Sequence, residues 1–269
     1  MDEPDPRWSS VRRTTWVAGA VDDGDDEVAA EAPLELRLGG VPVAVVMRTP
    51  GHDEELARGF LWSEGIAGPH EVRSLRPCAD VPAEAEGNVW QAVLVDGVDV
   101  DLQRLRRLTY ASSSCGVCGK ATLEAALALA APLTAAERRP IDAATFVRLP
   151  ALLATAQTAF AHTGGLHAAG LFDGDRALVV REDVGRHNAV DKCLGWLAAR
   201  GRPATGLTLA VSGRVSFEIV QKALRARVPA IAAVSAPTSL AIELARAAGV
   251  ALAGFVRDPR LCVYAGTLT

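Results

Sequence analysis

Residues 207–256 read LTLAVSGRVSFEIVQKALRARVPAIAAVSAPTSLAIELARAAGVALAGFV. Three apolar runs, 207–211, 230–234 and 250–256, have the length and β-branched content of strands, and two segments of helical pattern, 216–226 and 239–248, separate them. Strands spaced by helices of this length predict a three-layer α/β domain. Working outward, 166–172 and 176–181 read as strands joined by a hairpin at Asp173-Gly174, which makes the sheet mixed. Residues 261–264 add a last strand, and 121–131, 143–161 and 188–199 read as helices.

Before Tyr110 the pattern is different. Residues 34–38 and 41–47 are strand-like and meet at Gly39-Gly40, a hairpin signal. After Thr49-Pro50-Gly51, the segment 53–64 places Leu56, Phe60 and Leu61 on one helical face, and Gly65 stops it. Strands at 89–95 and 98–105 flank an Asp96-Gly97 turn. The acidic run 22–27 reads as a solvated loop, and residues 1–12 are expected to be disordered. The predicted division is a smaller N-terminal α+β domain over 1–110 and the larger α/β domain over 111–269.

The 269 residues are 49% hydrophobic and 22% charged, with a net charge of −4, which gives no general affinity for nucleic acid or an anionic membrane. The acidic N-terminus lacks the basic start and apolar stretch of a secretion signal. The longest run free of formal charge, 149–172, contains Pro150, Gln157, His162, Thr163, Gly164, Gly165 and His167, which a bilayer would not solvate, so no membrane span is expected. Five cysteines at irregular spacing do not form a disulfide framework, and a reducing, cytoplasmic location fits them.

The chemistry concentrates in Ser112-Ser113-Ser114-Cys115-Gly116-Val117-Cys118-Gly119-Lys120. Two cysteines three apart, in a glycine- and serine-rich loop that opens a helix, favour a thiolate, because helix-start amides and Lys120 stabilise negative charge. Arg104, Arg106 and Arg107 just upstream either add to that potential or form a solvated strand edge. A thiolate there can accept sulfur from a persulfide donor. Buried or zinc-bound cysteines are the bland reading, but no second ligand pair stands at zinc-site spacing, and no tightly held metal is expected. Polar loops follow the strands: Gly185, Arg186, His187 and Asn188 lead into a helix, and Ser212, Arg214 and Ser235 lie in two more loops. Strand ends with helix N-termini suit phosphate-bearing ligands, although hydroxyls there also serve as caps, the role assigned to Thr238 and Ser239. His187 is a candidate ligand contact, and His167 reads first as a core histidine. The strand at 250–256 ends in Phe255, Val256, Arg257, Asp258, Pro259 and Arg260, a place for phosphate or a purine ring, or simply a tight turn.

Five segments in this order resemble the formate dehydrogenase accessory sulfurtransferase (FdhD) family: Arg48-Thr49-Pro50-Gly51, Gly59-Phe60-Leu61-Trp62-Ser63-Glu64-Gly65, Cys115-Gly116-Val117-Cys118-Gly119, Glu182-Asp183-Val184-Gly185-Arg186-His187-Asn188 and Ala233-Val234-Ser235-Ala236-Pro237-Thr238. The resemblance implies a sulfur carrier that takes sulfur as a cysteine persulfide from a cysteine desulfurase. It passes the sulfur to a molybdenum (or tungsten) bis-guanine-dinucleotide pterin cofactor before that cofactor enters formate dehydrogenase. By position, Cys115 would bear the persulfide with Cys118 as its helper, and residues 255–260 would contact the guanine dinucleotide, with GDP-like nucleotides as mimics. It also implies a larger domain similar to the cytidine deaminase fold, and a homodimer. Three rivals can be weighed at this point, of which the first fails. Zinc deamination needs His-x-Glu and Pro-Cys-x-x-Cys, whereas here Ala168 and Ala169 follow His167 and Ser114 precedes Cys115. A thiol-disulfide oxidoreductase would use the Cys-Gly-Val-Cys but leave the polar loops unexplained, and a non-catalytic cofactor chaperone would do the reverse.

Overall fold

The computed structural model describes residues 5–98, 100, 127, 128 and 130–269. It begins with an antiparallel hairpin, β1 (Trp8–Val17) and β2 (Ala20–Ala29). Residues 22–27 therefore form a strand rather than the expected loop, and the chain is ordered from well before residue 12. The reason lies across the ladder: Arg12 stands opposite Asp25, with Arg12–Asp25 and Arg13–Asp26 pairs at 3.7 Å, so the basic strand offsets part of the acid repulsion.

A four-stranded sheet follows, built from β3 (Ala32–Leu38), β4 (Val41–Arg48), β5 (Val72–Pro77) and β6 (Val89–Leu94) in the order β4-β3-β6-β5. Strand β5 was not anticipated; its sequence, VRSLRP, has only two apolar side chains and ends in proline. Helix α1 (Asp53–Ser63) buries Ala57 and Leu61 against Leu36, Leu38 and Val43. Buried Arg48 grips Asp53 with two 3.0 Å bonds and so fixes where α1 starts.

The segment expected as one helix over 143–161 is three: α2 (Ala143–Phe146), α3 (Leu149–Thr155) and α4 (Thr158–Thr163). Pro150 sits in the first turn of α3, where a missing N–H costs nothing but which forces a new start. The buried Glu182 carboxylate starts α4 by accepting the Ala159 and Phe160 amides at 3.0 and 2.7 Å. The chain continues through β7 (His167–Asp173), β8 (Arg176–Asp183), α5 (Arg186–Ala199), β9 (Leu207–Val211), α6 (Phe217–Arg225), β10 (Ala230–Ala233), α7 (Ser239–Ala248), β11 (Ala251–Arg257) and β12 (Arg260–Ala265).

These strands form a mixed six-stranded sheet in the order β12-β11-β10-β9-β7-β8, in which β9, β10 and β11 are parallel and the other pairings antiparallel. Neighbouring residues face opposite sides. Ala169, Leu209, Ile231 and Leu252 pack with Val190, Leu194, Ile219 and Leu244 of α5, α6 and α7. Ala168, Ala210, Ala232 and Ala253 lie beneath Phe146, Leu149 and Leu153 of α2 and α3. Helices thus cover both faces, in three layers.

The two larger sheets meet where α1 crosses α5. A Cβ on Gly59 would lie 1.8 Å from the Asp191 carbonyl oxygen, and one on Gly195 would lie 1.8 Å from that of Glu55, so only glycine permits this approach. Around the crossing the seam is polar: Ser63 donates to Asp191 at 2.6 Å, Lys222 pairs with Asp191 at 2.9 Å and also with Glu64, and Arg181 meets Glu55. Burial opposes the Lys222 charge, but Asp191 and Glu64 outweigh it and hold its pKa above the ordinary lysine value. The domain boundary expected near residue 110, most of the strand at 98–105 and most of the helix at 121–131 lie outside the described residues, and residues 98 and 100, which are described, are not in a strand.

Candidate functional site

Cys115 and Cys118, with Arg104, Arg106, Arg107 and Lys120, lie outside the described residues. The remaining candidates converge on one edge. Because β9, β10 and β11 run in parallel, and His167 at the start of β7 pairs with Asp183 at the end of β8, the loops after β8, β9 and β10 and the β11–β12 turn all open at the same end of the sheet.

Fully buried Asp183 organises the first loop. It accepts the Thr49 amide at 3.2 Å, the Gly185 amide at 2.8 Å and the Asn188 side-chain amide at 2.9 Å, and pairs with Lys192 at 2.7 Å. Asn188 also donates to the Met47 carbonyl. Gly185 and Asn188 are thereby committed to holding the turn, and Arg186 and His187 are half-buried beside it. Arg186 Nε is buried without a hydrogen-bond partner among the described residues. His187 Nε2 lies 3.1 Å from Ser216 Oγ and 3.5 Å from Glu218 Oε2. Hydrogen bonding to His187 and then Ser216 outweighs burial and holds the Glu218 carboxyl at about 2.

In the second loop Ser212 Oγ accepts the Ala168 amide at 2.9 Å, and Arg214 is exposed. In the third, the Ser235 carbonyl accepts the Phe255 amide at 3.1 Å, which leaves the Phe255 ring 37% exposed. Val256 points into the core, so only its main chain could meet a ligand, whereas Arg257, Asp258, Pro259 and Arg260 are exposed. Thr238 caps α7 through the Ala241 amide, as expected. His167 is half-buried at this edge rather than in the core, and burial, then Arg186, lower its pKa, which favours the neutral imidazole.

Beside this edge lies a cleft of about 490 Å³ whose walls include Phe160, Val234, His167 and Ser212. Sequence reasoning missed it because its walls come from the break between α3 and α4, inside a stretch that reads as one helix. A second cleft, of about 360 Å³, lies at the other end of the sheet, beside Gly249 at the C-terminus of α7. Its Arg138 and Arg246 are anchored on the Leu133 and Tyr264 carbonyls, and cations there offset the negative end of a helix. Cys193 is a packing residue: burial pushes its thiol up to about 12. Cys78 and Cys262 are only half-buried. Among the described residues no cluster of three or more His, Cys, Asp or Glu is arranged to hold a metal, and no helix is long and apolar enough to cross a membrane.

The model of the FdhD/NarQ family matches residues 29–268. The chain belongs to the FdhD/NarQ family. Among relatives of this FdhD/NarQ chain, the sulfur carrier protein FdhD of Mycolicibacterium paratuberculosis is 47% identical over 95% of this chain and 96% of its own. That of Mycobacterium tuberculosis is 48% identical over 89% and 90%. A crystal structure from Desulfotalea psychrophila, of a protein assigned provisionally as a formate dehydrogenase accessory protein, superposes with a TM-score of 0.76 at 24% identity over 97% of both chains. It shares the FdhD/NarQ chain's fold.

Proposed function

We propose that this protein is a sulfurtransferase that carries sulfur as a persulfide on Cys115 and delivers it to a molybdenum bis-guanine-dinucleotide pterin cofactor bound for formate dehydrogenase. The observation that carries the reading is kinship over nearly the full length with proteins named as sulfur carriers, in a chain with Cys115 and Cys118 spaced as Cys-x-x-Cys. A cysteine desulfurase is the donor. The Cys115 thiolate attacks the outer sulfur of the donor's persulfide, the donor's S–S bond breaks, and its thiolate leaves. For delivery, the Cys118 thiolate attacks the inner sulfur of the Cys115 persulfide, joins the two cysteines and expels hydrosulfide to the acceptor. The two cysteines supply the electrons that release the sulfur as hydrosulfide, which gives the second cysteine a purpose, and a thiol reductant reopens the disulfide before the next round. The cofactor is cargo, and its phosphates suit the strand-end edge, where Arg214, Arg257 and Arg260 are exposed. A cytoplasmic homodimer whose larger layer system is similar to the cytidine deaminase fold completes the reading.

Incubation with a cysteine desulfurase and cysteine, followed by mass spectrometry, should find one extra sulfur on Cys115, none in Cys115→Ala, and a Cys115–Cys118 disulfide only after sulfur release. Cys115→Ala should also abolish formate dehydrogenase maturation. An internal disulfide without sulfur uptake would indicate a thiol-disulfide oxidoreductase. Neither modification would leave a cofactor chaperone.

A further inference from the structure

We propose that the cleft at the other end of the six-stranded sheet, between α7 and the segment before α2, is a separate site that takes a compact phosphate anion on Arg138, Arg139 and Arg246. All three arginines line it, and its volume of about 360 Å³ suits a small ligand. Among the described residues no carboxylate pairs with any of the three. Arg138 gives its Nε to the Leu133 carbonyl at 3.2 Å, and Arg246 gives its Nε to the Tyr264 carbonyl at 2.9 Å. Each guanidinium is thereby aimed, while its Nη atoms stay uncommitted among the described residues. Arg139 makes no hydrogen bond to them at all. The carboxylate next in sequence, Glu137, is taken by Arg227 at 2.9 Å and by the Thr134 amide and hydroxyl, both at 2.8 Å.

Neutralising the end of α7 does not account for three cations. A helix C-terminus carries the equivalent of roughly −0.5 charge, and Arg246 in the last turn of α7 already answers it. Arg138 and Arg139 are in excess of that need. The walls that carry them are fixed by backbone bonds: Leu133 donates to the Ala248 carbonyl at 2.8 Å, Ile141 to the Thr267 carbonyl at 2.7 Å, and Thr269 to the Ile141 carbonyl at 2.9 Å. Pro140 joins Arg139 to the fully buried Ile141, so that arginine springs from a rigid point. Arg138 rests against Gly249, where a Cβ would stand 2.5 Å from its Nε, and any larger residue would push the guanidinium aside. The geometry of the donors selects the ligand. A carboxylate is planar and is satisfied by one guanidinium fork, whereas a phosphate presents oxygens in several directions and can use arginines arriving from two parts of the chain.

Titration of the isotope-labelled full chain with inorganic diphosphate tests this. The amide resonances of Gly249 and Thr267, both in the cleft wall, read this site separately from Gly185 at the strand-end edge. Both should shift and saturate. Arg139→Gln and Arg246→Gln, at exposed positions, should each raise the Kd read there about tenfold, the order of one lost charged hydrogen bond, and leave any response at Gly185 unchanged. Arg139→Gln removes no bond within the described residues, so its effect cannot come from a disturbed fold. Acetate at the same ionic strength should produce no saturable shift. If diphosphate leaves Gly249 and Thr267 unmoved, if both variants keep the wild-type Kd, or if acetate serves as well, the cleft is only an electropositive surface and the inference falls. The sulfur-carrier reading is independent of that result, because persulfide formation on Cys115 is measured separately.

Discussion

Asp183 has no exposed surface, yet it is the residue on which the outward-facing loop depends, because one carboxylate serves two backbone amides, one side-chain amide and one ammonium. Removing it strands Lys192, which is 1% exposed and among the described residues otherwise meets only the Thr49 and Glu182 carbonyls. Asp183→Ala should therefore lower stability by about 3–5 kcal/mol, read as a shift in the urea midpoint. The double variant Asp183→Ala/Lys192→Met should recover most of that loss. If it is as unstable as the single variant, the charge pair is not the cause. A buried aspartate next to a glycine turn is hard to recognise in sequence, since nothing there distinguishes it from the neighbouring Glu182, which instead starts α4.

Between elements, Glu218 in the first turn of α6 clasps His187 in the first turn of α5. Its carboxyl is held down at about 2 from an ordinary 4.5, so the folded state binds its proton later than the unfolded chain does. The stability it contributes is present above pH 4.5 and is lost as pH falls toward 2. Comparing wild type with Glu218→Gln, the difference should be roughly 1 kcal/mol at pH 6, after discounting for solvent screening of a half-exposed group, and vanish near pH 2. A difference independent of pH would refute the ionic origin. The elements themselves were mostly legible in the sequence. The helix–strand alternation of residues 188–264 reproduced α5 through β12 closely, because strands buried on both faces leave plain apolar runs. What was not legible depended on distant partners: the acidic β2 needs Arg12 and Arg13 opposite it, and the break before α4 needs Glu182 to receive its amides. The strand-end residues could be read from their loops. The cleft could not, since it exists only once α3 and α4 are apart.

For the whole molecule, the seam makes the two large sheets one cooperative body. Gly195→Ala would drive a methyl group against the Glu55 carbonyl and force α1 from α5, at about 1–3 kcal/mol. Hydrogen exchange should show protection falling together in β3–β6 and β9–β11, in a single transition. Loss confined to one sheet would mean that the two unfold independently. Four of the five segments that first suggested the family lie wholly within the described residues, and three of them supply this joint: Arg48 and Thr49, Gly59 to Glu64, and Glu182 to Asn188. The joint also has a history within each molecule's synthesis. Gly195 is added to the chain 136 residues after Gly59, which at about 5–20 residues per second is a wait on the order of 10 s on the ribosome. Through that interval the side of α1 that will meet α5 presents Glu55, Gly59 and Ser63 to water, with Trp62, which later packs on the core cluster of the larger sheet, nearby. Carboxylate, hydroxyl and bare backbone at the crossing limit the apolar area that the nascent chain exposes while it waits for its partner helix.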